Sequence, residues 1–300
     1  MHQRLDLRTA ALLTLAPLLW AGNAVVGRLM AGHVPPITLN FLRWALAFAI
    51  LLPWTAWLLR PGSPLWPHWR RFAVLGLLGV GCYNALQYLA LKTSTALNVT
   101  LVAASSPAWM LGIGALFFGQ KITGRQVGGA VLSIAGVLVV LSRGDWDLLL
   151  QVRLVPGDFF VLLATAAWAF YSWLLVRPGD PEAVRRDWAA FLMAQMVFGL
   201  GWSALFAAGE WAAAPQRIEW SGPVLAALAY VAVGPAILAY RSWGVGVQRV
   251  GPNIAGFFAN LAPLFAAVLS AAFLGELPRP FHAAAFVLIV GGILVSSRRA

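Results

Sequence analysis

Residues 98–140, NVTLVAASSPAWMLGIGALFFGQKITGRQVGGAVLSIAGVLVV, and residues 253–297, NIAGFFANLAPLFAAVLSAAFLGELPRPFHAAAFVLIVGGILVSS, carry the same punctuation. Pro107 stands twelve residues before Gly119 and Pro263 twelve before Gly275, and Gly136 and Gly292 follow those glycines by seventeen. The offset between the passages is therefore 156 throughout, while Asn98 and Asn253 open them one residue out of step. A weaker echo links Trp20, Ala21 and Asn23 with Trp168, Ala169 and Tyr171. The chain reads as two units, 1–143 and 144–300.

Both passages stay apolar on nearly every face, so they lack the alternation of a lipid-facing barrel strand and read as helices. The chain of 300 residues is 61% hydrophobic and 10% charged, against roughly 25% charged in soluble domains. Its 29 glycines, 15 tryptophans and 17 phenylalanines suit helices packed in a bilayer. The single Cys82 excludes an intrachain disulfide and a cysteine metal cluster. The charged stretch before Thr9 leads into an apolar run with no clean small-residue cleavage motif, so the first span is expected to be retained.

Ten apolar stretches are predicted to cross the membrane: 9–30, 37–59, 72–91, 96–118, 124–141, 157–176, 188–208, 221–240, 252–274 and 281–297. Each approaches the roughly 20 residues a helix needs to span hydrocarbon. The fold class is all-α, a polytopic membrane protein of ten transmembrane helices in two five-helix repeats. Five is odd, so the second repeat crosses in the opposite sense; such inverted repeats supply a physical basis for alternating access around a midplane site.

The formal net charge of +11 would suggest nucleic acid in a soluble domain. With the N-terminus inside, however, fourteen basic residues fall on the cytoplasmic side and five, Lys92, Arg143, Arg153, Arg217 and Arg279, on the other. That bias predicts both termini in the cytoplasm and no nucleic-acid partner. Trp66, Trp69, Trp146, Trp188, Trp211 and Trp220 fall near span ends, where an amphipathic ring anchors in the interface.

The Asn…Pro…Gly pattern, the FGQKIT and FLGELP passages and the WAGN sequence resemble the drug/metabolite transporter superfamily over nearly the whole chain. Within it, the sequence is similar to EamA-domain carriers and to amino-acid exporters of the YddG type. The resemblance implies ten helices in inverted repeats, a bacterial inner-membrane location and export of small amphipathic metabolites, above all aromatic and neutral amino acids. It also places a glycine followed by an acidic or amide residue at the fourth-to-fifth helix turn of each repeat, here Gly119 with Gln120 and Gly275 with Glu276.

Several residues have the chemistry to line a cavity. Tyr83 and Gln87, four apart, share a helix face and pair an aromatic wall with an amide. Trp20 with Asn23, and Trp168 with Tyr171, recur at one interval. Ser105 and Trp109 flank Pro107, while Asn98, Asn253, Phe257 and Asn260 precede the two prolines. Pro107 and Pro263 each remove a helix donor and are expected to bend the chain, as helix-break or gating points. Arg43, deep in the second stretch, either attracts a substrate carboxylate, snorkels to headgroups or holds a carbonyl. Tyr240, beside Arg241, is expected at the cytoplasmic mouth. Every one of these side chains has a packing role as its alternative.

No nucleotide-binding glycine motif, acid/base or nucleophile cluster, or metal-ligand spacing is present, so no catalytic residue, metal or other cofactor is expected. The acidic residues all fall in loops or near helix ends, which argues against a buried-carboxylate proton relay. The partners expected are a small-molecule substrate, amino acids foremost, and the bilayer, with the chain acting as a monomer or homodimer. Carriers of other metabolites or toxic cations, and a membrane-embedded enzyme, stay open at this level.

Overall fold

The computed structural model describes residues 5–30, 32–91, 93–213, 217–274 and 279–297. All its regular structure is helical. In chain order the elements are α1 (Leu7–Leu29), α2 (Pro36–Thr55, prolonged by a 3₁₀ turn at Ala56–Leu59), α3 (69–91), α4 (Ala96–Ala103), α5 (Ser106–Phe118) and α6 (Gly124–Ser142). There follow α7 (Pro156–Val176), α8 (Trp188–Ala213), α9 (Gly222–Val250), α10 (Pro252–Ala259), α11 (Ala262–Leu274) and α12 (Pro280–Ser297). Among the described residues nine helical segments are long and apolar enough to cross a bilayer. The expected span at 72–91 is not among those nine; it forms the helical run α3.

Local chemistry sets the boundaries. Proline occupies the first or second position of α2, α5, α7, α9, α10, α11 and α12, where its missing N–H costs nothing. Thr123 and Gln126 close a capping box at the start of α6. The break between α4 and α5 falls at 104–105 and that between α10 and α11 at 260–261. Both lie just ahead of the prolines, so Pro107 and Pro263 begin new helices rather than bend old ones. Gly119 ends α5 with φ of 64°, a left-handed turn that suits glycine. Gly275 and Glu276 lie outside the described residues.

The 156-residue offset recurs in the fold. It relates the ends of α4 and α10, the starts of α5 and α11, their ends, and the starts of α6 and α12. It also relates two features that the residue pattern does not announce, π-helical segments at Gly76–Cys82 within α3 and Ala232–Leu238 within α9.

The α6 and α12 helices form a tight seam. A side chain on Gly292 would meet the Gly129 carbonyl at 2.6 Å, and one on Gly136 would meet the Ala285 carbonyl at 2.9 Å. A shift of 156 residues turns the first contact into the second. The two helix breaks also touch: the Asn260 amide donates to the carbonyl of Ala104, its equivalent 156 residues earlier, at 3.2 Å and to the Ser133 hydroxyl at 2.9 Å.

Buried acids sit at helix ends and satisfy backbone donors there. The Glu210 carboxylate accepts from the Ile37 and Thr38 amides at 3.1 and 2.8 Å and so caps α2. Asp158 accepts from the Val155 amide and the Asn98 side chain, each at 2.9 Å, and from the Ser94 hydroxyl. Asp180 pairs with Arg71 and Arg185, and Arg71 also donates to the Leu174 carbonyl in the last turn of α7 at 3.0 Å. Trp66, Trp69, Trp146, Trp188, Trp211 and Trp220 are all exposed.

Candidate functional site

Helices α1, α2, α3, α7 and α9 bring seven aromatic rings together between the two halves. Trp168 lies at the centre, with its ring centroid 5.0 Å from Tyr83, 5.2 Å from Trp20, 5.0 Å from Tyr171 and 5.5 Å from both Tyr240 and Trp243. Trp44 joins through Tyr240 at 4.8 Å, edge to face. Most of these rings fall near the middle third of their helices. The edge-to-face and tilted packing is the geometry that ring quadrupoles favour, and it turns the ring faces toward one another: Trp44, Trp168, Tyr171, Tyr240 and Trp243 are all buried.

Two hydrogen bonds tie the cluster to the π segments. The Tyr240 hydroxyl donates to the Gly79 carbonyl at 2.5 Å, and the Trp20 indole donates to the Pro235 carbonyl at 3.3 Å. Gly79 and Pro235 are 156 residues apart. A π turn shifts the backbone register and alters which carbonyls are bonded within the helix, and here equivalent carbonyls accept from cluster side chains. Gly79 is needed for a second reason: a Cβ there would lie 2.7 Å from the Tyr171 ring.

One pole of the cluster is polar. Arg43 is 3% exposed; it donates to the Asn40 side-chain oxygen at 2.7 Å and to the Asn23 oxygen at 3.4 Å. Its guanidinium carbon stands 5.2 Å from the Trp44 ring centroid. Asn40 and Trp44 are fully buried, and the Asn40 amide nitrogen and the Trp44 indole nitrogen have no hydrogen-bond partner among the described residues. Gln87 stands one turn beyond Tyr83 on the same helix.

The sequence candidates thus separate into two groups. Trp20, Asn23, Arg43, Tyr83, Gln87, Trp168, Tyr171 and Tyr240 lie in or beside the cluster. The others do not. Asn98 donates to the Arg153 carbonyl and Asp158 at a helix end, Ser105 donates to the Val102 carbonyl at 2.6 Å within the chain break, and Asn260 bridges the two breaks. Phe257 is wholly buried in the core and Trp109 packs against it. Pro107 is buried and Pro263 half-buried, each beside its break. Asn40, Trp44 and Trp243 also lie in or beside the cluster, although the sequence pattern does not mark them. For Asn40 and Trp44 the available signal was their spacing from Arg43, three and one residues along a single helix.

Two clefts are present, of which the smaller reaches the cluster. One of about 190 Å³ is lined by Arg185, Trp188, Gln195 and Arg241 and ends on Tyr171 and Tyr240. Arg241 stacks over the Trp188 ring at 5.0 Å beside it. The other, about 640 Å³, is lined by Gln120, Lys121, Arg125, Trp173 and Asn253 near the start of α6. The Asn253 side-chain oxygen is buried there without a partner among the described residues.

The sequence profile of the EamA-like transporter family matches residues 7–142 and again residues 155–298. An uncharacterized transporter of Archaeoglobus fulgidus is 26% identical over 97% of this chain and 98% of its own. The aromatic amino acid exporter YddG of Ancylobacter novellus is 28% identical over 94% of each chain. A solved crystal structure superimposes with a TM-score of 0.70 at 26% identity, covering 96% of this chain and 95% of the other. Two family matches over nearly the full length, on an all-helical membrane fold, settle the class: the chain belongs to the EamA-like transporter family, whose members are carriers of small metabolites and not enzymes.

Proposed function

We propose that this carrier exports amino acids with aromatic or other apolar side chains by alternating access. In this reading residues 1–143 and 144–300 are inverted five-helix repeats, α3 is the third of ten spans, and both termini face the cytoplasm of a bacterial inner membrane. The observation that carries it is the ring cluster, built from α1, α2 and α3 of one half and α7 and α9 of the other, at the inner end of the smaller cleft. Rocking of one half against the other would expose those faces first to one side and then to the other. The paired π segments and the touching helix breaks, equivalent in the two halves, supply points at which the backbone register already departs from α-helix. The similarity to an aromatic amino acid exporter points to the same cargo.

The test is flux in proteoliposomes holding the purified protein, with radiolabelled tryptophan, phenylalanine, leucine and lysine. Saturable flux ranked with the aromatic and apolar amino acids ahead of lysine is expected. Absence of saturable flux for all the aromatic and neutral amino acids would overturn the cargo.

A further inference from the structure

Asn40, Arg43 and Trp44 stand on one face of α2 at the edge of the ring cluster. Every hydrogen-bonding group that Arg43 and the Trp44 indole present is a donor. The two asparagines have turned their side-chain oxygens toward the guanidinium, at 2.7 Å for Asn40 and 3.4 Å for Asn23. That contact fixes the Asn40 amide orientation, because a flipped amide would set N–H against N–H. The Asn40 nitrogen is therefore directed away from Arg43; it and the Trp44 indole nitrogen are buried and have no partner among the described residues. Buried donors without acceptors are costly, and natural interiors keep them where something else completes the pairing.

We infer that Asn40, Arg43 and Trp44 form the subsite that receives the carboxylate of the transported solute, making the carrier selective for carboxylate-bearing aromatic compounds over aromatic amines. The inference rests on the transport reading above. A carboxylate is the complement to this set: it is acceptor-only, with two oxygens that match a guanidinium fork and still have lone pairs for an amide and an indole N–H. The position fits as well. Trp44 touches Tyr240, and Tyr240 touches Trp168 and Tyr171, so a solute anchored at this pole lays its apolar body along the ring faces.

The experiment is competition against radiolabelled tryptophan flux in proteoliposomes, with tryptamine, which lacks the carboxylate, and indole-3-propionate, which lacks the amine. Wild-type protein should be inhibited by indole-3-propionate at concentrations at least tenfold below those required of tryptamine. Trp44→Phe keeps an aromatic ring on this face of α2 and removes the indole N–H together with the outer part of the bicyclic ring; in monodisperse protein it should raise the half-saturating tryptophan concentration on the order of tenfold, as expected for a lost hydrogen bond to a charged group. Arg43→Gln should abolish the discrimination between the two competitors, and Arg43→Lys should restore part of it. Equal inhibition by both compounds in wild type, or discrimination unchanged in monodisperse Trp44→Phe and Arg43→Gln proteins, would overturn the subsite while tryptophan flux still upheld the transport reading. Wild-type protein that moves no tryptophan would overturn both.

Discussion

The π-helical segments at 76–82 and 232–238 hold equivalent places in the two halves but are built from opposite chemistry. The second, AVGPAIL, contains Pro235, whose missing N–H deprives an earlier carbonyl of its α-helical partner and favours a shifted register. The first, GLLGVGC, has no proline; Gly76, Gly79 and Gly81 give it little intrinsic helical preference, and it is pressed closely against neighbours. A Cβ on Gly76 would meet the Gln195 carbonyl at 2.5 Å, and one on Gly79 would meet the Tyr171 ring. One half reaches the π register through a covalent constraint and the other through packing. What is common is the outcome: the carbonyls of Gly79 and Pro235 each accept a hydrogen bond from an aromatic side chain of the central cluster.

The largest effect is expected where the halves are most alike. The contacts of Gly129 with Gly292 and of Gly136 with Ala285 exchange under the 156-residue shift, and both join backbone to side-chain positions with no flexible atoms to yield. Gly292→Val should destabilise the protein by about 3 kcal/mol, the upper part of the usual range for overpacking. Gly291→Val is the matched control, because nothing lies within 4 Å of a Cβ at Gly291. Melting of detergent-purified protein measures both. Equal midpoints for the two variants would show that the seam separates easily, and the equivalence of its two contacts would then have no energetic weight.

These similarities differ in how far they could be read from residues alone. Pro107, Pro263, Gly119, Gly136 and Gly292 disclose the repeat because proline and glycine act locally, whatever surrounds them. The first π segment is silent, since its register is imposed by α7 and α8. The site was legible in part for the same reason. Trp20, Trp168, Tyr83 and Tyr171 stand out as large polar-tipped rings at repeated intervals, whereas Trp243 falls beyond the expected end of the eighth span at 240, in a helix that runs on to Val250. Asn98, Phe257 and Asn260 look like cavity residues in the sequence, but α4 and α10 are short and mostly apolar, and nothing in such a pattern says which face meets a solute. The structure gives Asn98 to a helix end and Asn260 to the contact between the breaks.

An intermediate effect is expected where one half has a side chain that the other lacks. Tyr240 corresponds by offset to Asn84, a buried residue too short to play the same part, and the equivalent carbonyl is served by Trp20 from α1 instead. Tyr240→Phe removes the hydroxyl, retains the ring contacts and leaves the Gly79 carbonyl without its side-chain donor. The expected cost is about 1–2 kcal/mol, that of an unsatisfied buried polar group. A melting midpoint equal to that of wild type would mean that the π segment does not depend on the cluster, and the two halves would then differ in mechanism as well as in chemistry.

The smallest effect concerns the acids that begin the first helix of each half. Asp158 is buried and accepts three hydrogen bonds, from Val155, Asn98 and Ser94. Asp6 is exposed and accepts the Thr9 amide at 2.7 Å at the start of α1. Hydrogen bonds from the Thr9 side chain and backbone, with Arg249 nearby, favour the charged carboxylate and hold the Asp6 pKa below its ordinary value of 3.8. A carboxylate depressed in the folded state adds stability above the unfolded-state pKa and loses it as pH falls through the folded one. Asp6→Asn retains a capping oxygen and removes only the charge. Its melting midpoint should therefore lie slightly below wild type at pH 7, and the gap should narrow as pH falls below the ordinary carboxylate value of 3.8 and through the lowered folded-state one. A gap independent of pH would assign the difference to cap geometry, and the contrast with Asp158 would then be one of burial alone rather than of charge.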